Sequence, residues 1–175
     1  MKLVRYGARS AKKIPCVLDQ DGNPRDLREI VEDITPATIA DGLIETISAH
    51  GIEKLPLANV RGLRIAPPMS QPNNIWCIGL NFSDHAAEAG LPVPTEPILF
   101  NKSSGTYCGP NDDLLYSPKM SKLDWEVELG IVIRKPALNV TPEQALDHVL
   151  GFVTVNDVAE RAWQLDREGQ WVMGK

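Results

Sequence analysis

The sequence predicts an α+β fold in which strands and loops outweigh helices. Three observations lead there. Fourteen prolines in 175 residues exceed the ~5% average and leave room only for short helices. Brief apolar runs bounded by Gly, Pro, Asn and Asp recur along the chain, as at 14–18, 75–80 and 151–155, and such runs read as strands. Helical spacing is confined to segments of two or three turns.

Residues 2 to 6, 14 to 18 and 24 to 27 are expected strands, separated by turn material that includes Asp21-Gly22-Asn23-Pro24. Thr38 is placed to cap a helix running toward Ser48, because Ile39, Leu43 and Ile47 recur at four-residue spacing and Gly51 follows as a stop. A second short helix fits Asp26 to Asp33. The run from Ala66 to Asn73 holds three prolines and can continue neither element, because proline lacks an N–H and fixes φ. It divides the chain into a small β-rich N-terminal domain, 1–70, and a second domain, 71–175. In the second, a buried strand at 75–80 turns at Asn81 into a helix from Ser83 to Ala89 that Gly90 ends. A strand resumes at Ile98. Asp124 to Ile133 is expected as one continuous strand, Thr141 caps a helix through His148 with Pro142 at its first position, and Gly151 returns to strand.

A net charge of −5, with no cluster of Lys and Arg, argues against nucleic-acid or acidic-membrane partners, since phosphate contacts need concentrated positive charge. No apolar stretch approaches the roughly 20 residues of a membrane span, and the first thirteen residues lack a signal peptide's apolar core. A cytoplasmic protein is expected. Cys16, Cys77 and Cys108 are odd in number and widely spaced, which suits packing residues better than a disulfide framework or zinc site. The acidic excess is uneven: residues 1–70 carry 10 basic and 9 acidic groups, residues 71–175 carry 8 and 14.

Three of those acids alternate in Asp124-Trp125-Glu126-Val127-Glu128-Leu129. Strand alternation sends Asp124, Glu126 and Glu128 to one face and Trp125, Val127, Leu129 and Ile131 to the other. Two carboxylates about 6.6 Å apart repel by roughly 2.5 kcal/mol at an effective dielectric of 20, but only about 0.6 kcal/mol in water. A solvated strand face and a divalent-cation site both fit the spacing. The flanking apolar run Ile131-Val132-Ile133 favours an interior strand, where hard oxygen ligands call for Mg²⁺ or Mn²⁺. Asp157, at a strand end, fits a ligand or an Asx turn equally well. His85 and Glu88 are three apart on the short helix, so Glu88 could orient the imidazole for general-base work; an exposed His beside an unrelated Glu has the same spacing. Gly169-Gln170-Trp171-Val172-Met173-Gly174-Lys175 fits part of a phosphate-loop pattern. It follows the polar Asp166-Arg167-Glu168 rather than a buried strand, and Trp171 is too bulky for a loop that wraps phosphate with N–H groups, so that reading is set aside.

Taken together, Ile78-Gly79-Leu80-Asn81-Phe82-Ser83-Asp84-His85-Ala86-Ala87-Glu88-Ala89-Gly90, Pro97-Ile98-Leu99-Phe100-Asn101-Lys102, the 124–129 block, Asn156-Asp157-Val158 and Gln170-Trp171-Val172-Met173-Gly174-Lys175 resemble the fumarylacetoacetate hydrolase family in order and spacing over residues 74–175. The opening Lys2-Leu3-Val4-Arg5-Tyr6-Gly7 is similar to bacterial members that hydrolyse 2,4-diketo-3-deoxy sugar acids. Phe82, Arg134 and Ala162 depart from the family's frequent Tyr, Gly and acidic residue; none is a proposed ligand.

The resemblance implies a mixed β-roll catalytic domain, incomplete at its C-terminus, because family members continue beyond the Gly-Lys block through further strands. It implies a homodimer, and a metal-dependent hydrolase that cleaves the C3–C4 bond of a 2,4-dioxo acid to pyruvate and a second acid. Glu126, Glu128 and Asp157 would hold Mg²⁺ or Mn²⁺, His85 and Glu88 would activate water, and Lys175, with Gln164 nearby, would meet the 2-oxo acid substrate. Decarboxylase, isomerase, hydratase and ureidoglycolate lyase activities share that chemistry. The 175 residues by themselves are expected to be inactive and weakly stable, or a remnant without catalysis.

Overall fold

The computed structural model describes residues 1–175 and contains two compact units, each drawn from separated stretches of chain. The first comprises Met1–Pro72, Tyr107–Leu114 and Gly130–Val153. It is built on an antiparallel sheet of β1 (Lys2–Tyr6), β2 (Ile14–Leu18), β3 (Pro24–Asp26) and β4 (Ile65–Ala66), in the order β3-β2-β1-β4. Two helices, α1 (Pro36–Ala40) and α2 (Leu43–His50), place Ile39, Leu43 and Ile47 against Val17, Leu27, Ile34 and Leu55. Four-residue spacing brings Leu43 and Ile47 to one side of α2, and their burial rather than intrinsic helicity stabilises so short a helix.

Two expectations fail in this unit. The helix expected from Thr38 to Ser48 is two helices, divided at Asp41-Gly42, where Gly42 takes φ +87°, a conformation that costs glycine little. Thr35, not Thr38, is the cap: its hydroxyl accepts from the Thr38 N–H at 3.1 Å while the Thr38 hydroxyl accepts from the Thr35 N–H at 2.8 Å, a reciprocal box. No helix forms over Asp26–Asp33. There Asp26 accepts from the backbone and guanidinium of Arg28, and that local bonding competes with a helical ladder.

Residues 107–114 and 130–153 lie beyond the residue-70 boundary drawn from the prolines, and ion pairs tie them into the first unit. Arg64 Nε donates to Asp112 Oδ1 at 2.6 Å, and Arg134 Nη1 meets Glu45 Oε1 at 2.9 Å.

The second unit comprises Asn73–Thr106, Leu115–Leu129 and Thr154–Lys175. Strand β5 (Ile75–Gly79) pairs antiparallel with β6 (Ile98–Lys102), with Cys77 opposite Phe100 and Gly79 opposite Ile98. Between them lies α3 (Ser83–Glu88). Strand β7 (Leu123–Asp124) pairs with β10 (Ala159–Glu160), and α5 (Arg161–Leu165) leads to a 3₁₀ turn over Trp171–Gly174.

The expected continuous strand over 124–133 is broken. β7 ends at Asp124 and β8 (Val127–Ile133) begins two residues later, paired with β9 (Val149–Asn156). The chain exchanges one pairing partner, β10, for another, β9, and Trp125-Glu126 spans the exchange. Alternation survives the break. The outward row is the apolar one, with Trp125, Val127 and Leu129 at 72%, 67% and 60% exposure, and the carboxylate row faces inward. Helix α4 (Pro142–Ala145), capped by Thr141, tightens to a 3₁₀ turn through His148. No helix is long and apolar enough to cross a membrane.

Ile47 is fully buried at the centre of the first unit's core. Ile47→Ala is expected to cost about 2–5 kcal/mol, read as a lower urea midpoint with an unchanged slope.

Candidate functional site: a carboxylate and ammonium cluster

Within the second unit, the break between β7 and β8 fixes the first carboxylates. The Glu126 N–H donates to Asn156 Oδ1 at 3.1 Å, and the Glu126 carbonyl accepts from the Asp157 N–H at 2.8 Å. Two segments distant in sequence are thereby clamped so that both acidic side chains enter one cluster.

Three cations meet them. Lys175 Nζ donates to Glu126 Oε1 at 2.5 Å and to Asp157 Oδ2 at 2.9 Å, and its side chain is only 2% exposed. Lys102 Nζ lies 2.5 Å from Asp157 Oδ1 and donates to the Val158 carbonyl at 3.0 Å. The approach to Oδ1 lacks hydrogen-bond alignment, so this oxygen is buried with a charge contact alone. Arg161 bridges Asp124 Oδ2 at 2.9 Å and Glu126 Oε2 at 3.1 Å.

Glu128 has no ion-pair partner. Burial pushes its carboxyl above the usual glutamate range, and the Asp157 and Glu126 charges push the same way, partly opposed by Lys175 and His85. The Cys77 thiol, on β5, is raised to about 11, chiefly by burial and then by Asp157, so it stays protonated at neutral pH.

The remaining residues singled out from sequence are placed differently. His85 lies half-buried on α3, close enough for its charge to act on Glu128. Glu88 is exposed one turn on, and no hydrogen bond joins the two side chains. Gln164 is buried on α5, where its Oε1 accepts from Arg161 Nη1 at 3.0 Å. Lys102 and Arg161 were not singled out. Parity could have found the first, since Phe100 and Lys102 share a face of β6; three-residue helical spacing from Gln164 could have found the second.

The Gly174-Lys175 pair has a steric rather than a phosphate-binding cause. A Cβ at Gly174 would sit 2.6 Å from the Gln164 nitrogen and the Glu160 carbonyl oxygen. Only glycine lets the 3₁₀ turn approach the start of α5 closely enough to bring Lys175 to the carboxylates.

Residues 74–175 match the C-terminal domain of fumarylacetoacetate hydrolase as a family. The chain belongs to the fumarylacetoacetate hydrolase family. It is 45% identical over its whole length to a Burkholderia multivorans protein named as a hydrolase with no stated substrate, and spans 61% of that protein. It is similar to the fumarylacetoacetate hydrolase of psychrophilic Exiguobacterium antarcticum, with TM-score 0.78 and 25% identity over 100% of this chain and 62% of that one. The fold also matches maleylpyruvate hydrolase from Sphingobium sp. SYK-6, solved with manganese(II) and pyruvate, with TM-score 0.73 and 21% identity over 98% of this chain and 64% of the other.

Fumarylacetoacetate hydrolase family membership raises the question of a divalent cation, and the donor chemistry fits one. Glu126, Glu128 and Asp157 are hard oxygen donors of the kind Mg²⁺ and Mn²⁺ take, and Asp157 Oδ1 is a buried carboxylate oxygen without a hydrogen bond. As arranged, the acidic side chains are not gathered to coordination distance of one point. The Lys175 ammonium stands between Glu126 and Asp157 and pairs with both.

A carboxyl raised in the folded state favours its protonated form, so Glu128 lowers stability once pH exceeds the usual glutamate range. Glu128→Gln is expected to raise Tm at pH 7, with the gain fading below about pH 4, where the unfolded chain's glutamates are also protonated. Scanning calorimetry at the two pH values checks the sign.

Proposed function

We propose that this chain carries the metal site and proton-transfer groups of a hydrolase that cleaves the C3–C4 bond of a 2,4-dioxo acid, either an acylpyruvate or a 2,4-diketo-3-deoxy sugar acid. The observation that carries the reading is the convergence of Glu126, Asp157, Lys102 and Lys175 in one nearly buried cluster, with Glu128 beside it. Buried charge is costly unless paired, and this cluster pairs cations of the protein with acids that suit a divalent ion.

Glu126, Glu128 and Asp157 would hold Mg²⁺ or Mn²⁺. Once bound, the ion supplies Lewis acidity toward the carboxylate and 2-oxo oxygens of the substrate. His85 Nδ1 or Nε2 takes a proton from water, whose oxygen bonds to C4. Lys175 donates to the oxyanion that develops on the C4 oxygen. The C3–C4 electron pair then leaves on C3, which is protonated to give pyruvate, and C4 becomes the second acid. Glu88, three residues after His85 on α3, would orient the imidazole, and Gln164, held by Arg161, would line the substrate side. The exposed row of Trp125, Val127 and Leu129 offers apolar surface that a second copy of the protein would cover.

Two measurements test the assignment. In a form spanning the full length of its relatives, calorimetric titration with Mn²⁺ should lose measurable affinity in Glu126→Gln/Glu128→Gln; unchanged affinity defeats the ligand set. In the same full-length form, His85→Ala should lower the turnover of an acylpyruvate by about 10²- to 10⁴-fold while Mn²⁺ affinity stays near that of the unaltered protein. Isomerisation of an unsaturated 2-oxo diacid without pyruvate release would replace the hydrolase reading.

A further inference from the structure

The ring of Phe100 lies beneath the Lys175 ammonium, 5.1 Å from Nζ to the ring centroid. Lys175 has three N–H donors, and two reach Glu126 and Asp157. The ring offers its negative face to the remaining charge.

Phe100 is itself held. Trp171 meets it edge-on, with centroids 5.6 Å apart and planes at 65°, the arrangement aromatic quadrupoles favour. Trp171 in turn lies on Gly79 of β5, where a Cβ would be 2.5 Å from the indole Cζ3. Gly79, Trp171 and Phe100 therefore stack in sequence beneath one buried ammonium. Strand parity adds a second link, because β6 sends Phe100 to Lys175 and Lys102 to Asp157 from the same face.

We propose that Phe100, braced by Trp171 over Gly79, is a positioning residue that holds the Lys175 ammonium between Glu126 and Asp157. Its importance for catalysis rests on the function proposed above; its effect on Lys175 does not. Without the ring, the four-carbon stem of lysine regains rotamers that take Nζ out of the cluster. A cation over an aromatic ring that is shielded from water contributes an effect on the order of tenfold in population.

The test measures Lys175 directly in this chain. The protein is pulsed with acetic anhydride at fixed pH, and acetylation of Lys175 and Lys102 is followed by peptide mass spectrometry. Phe100→Leu should acetylate Lys175 about tenfold faster, with Lys102 little changed, and Phe100→Tyr, which keeps the ring, should restore the slow rate. Phe100→Met, which fills similar volume without a ring, should also acetylate Lys175 fast with Lys102 little changed, and it serves as the test if Phe100→Leu weakens the strand pair. Thermal unfolding of each variant separates local release of Lys175 from loss of fold. Equal Lys175 acetylation in Phe100→Leu, Phe100→Met and the unaltered protein, all cooperatively folded, overturns the proposal. So does fast labelling of both lysines together, because that reports general loosening. Absence of acylpyruvate turnover in a form spanning the full length of its relatives, with ring-dependent Lys175 labelling retained, rejects the proposed function and keeps this inference.

Discussion

The Lys175 ammonium between Glu126 and Asp157 is the interaction on which the second unit depends. Each partner comes from a different stretch: Glu126 from the break between β7 and β8, Asp157 from the end of β9, and Lys175 from the 3₁₀ turn after α5. A buried ion pair adds little net stability, but removing one partner leaves an unpaired charge away from water. The cluster therefore constrains the geometry of three segments more strongly than it stabilises them. Lys102 and Arg161 extend the same logic to β6 and α5, so five elements are registered against one another by charge.

Sterics make that registration reachable. Gly174 permits the turn to touch the backbone of α5, and Gly79 permits Trp171 to lie on β5. Both are close-approach glycines, and neither has a side chain that could compete for the space. Glu160 adds a fixed anchor: its carboxylate accepts from the Ser121 and Lys122 N–H groups and from that of Ala162 at the start of α5. The acid that caps α5 thus also holds the approach to β7, and the two stretches that carry Asp124 and Arg161 are joined before their side chains meet.

The electrostatics are unfinished in an informative way. Asp124, Glu126, Glu128 and Asp157 are opposed by Lys102, Arg161 and Lys175, which leaves Glu128 without a direct partner and its carboxyl raised. A raised carboxyl such as that of Glu128, set in a cluster of charges, is a mark of functional sites, whereas structural ion pairs lower carboxyl pKa values. Asp112, held by Arg64 in the first unit, shows the structural case, since its carboxyl is pushed well below the usual range.

Short-range chemistry was legible in the sequence. Alternation placed Asp124, Glu126 and Glu128 on one side of a strand, the Gly51 and Gly90 stops ended helices near the right residues, and the spacing of five blocks carried the family. These features depend on neighbours within a few residues, where backbone periodicity and turn residues decide. The split of the 38–48 helix, the absence of a helix at 26–33 and the break after Asp124 were not legible. Each is settled by a local turn, bond or pairing: the left-handed Gly42 between α1 and α2, the Asp26–Arg28 pair, and the exchange of β10 for β9. The direction of the strand faces also required the tertiary structure, because parity separates the apolar row from the carboxylates without saying which turns inward. So did Lys102, Arg161 and the Phe100 platform. Their roles come from contacts across 35 to 75 residues of chain, and only folding brings those charges close enough for their energies to exceed screening by water.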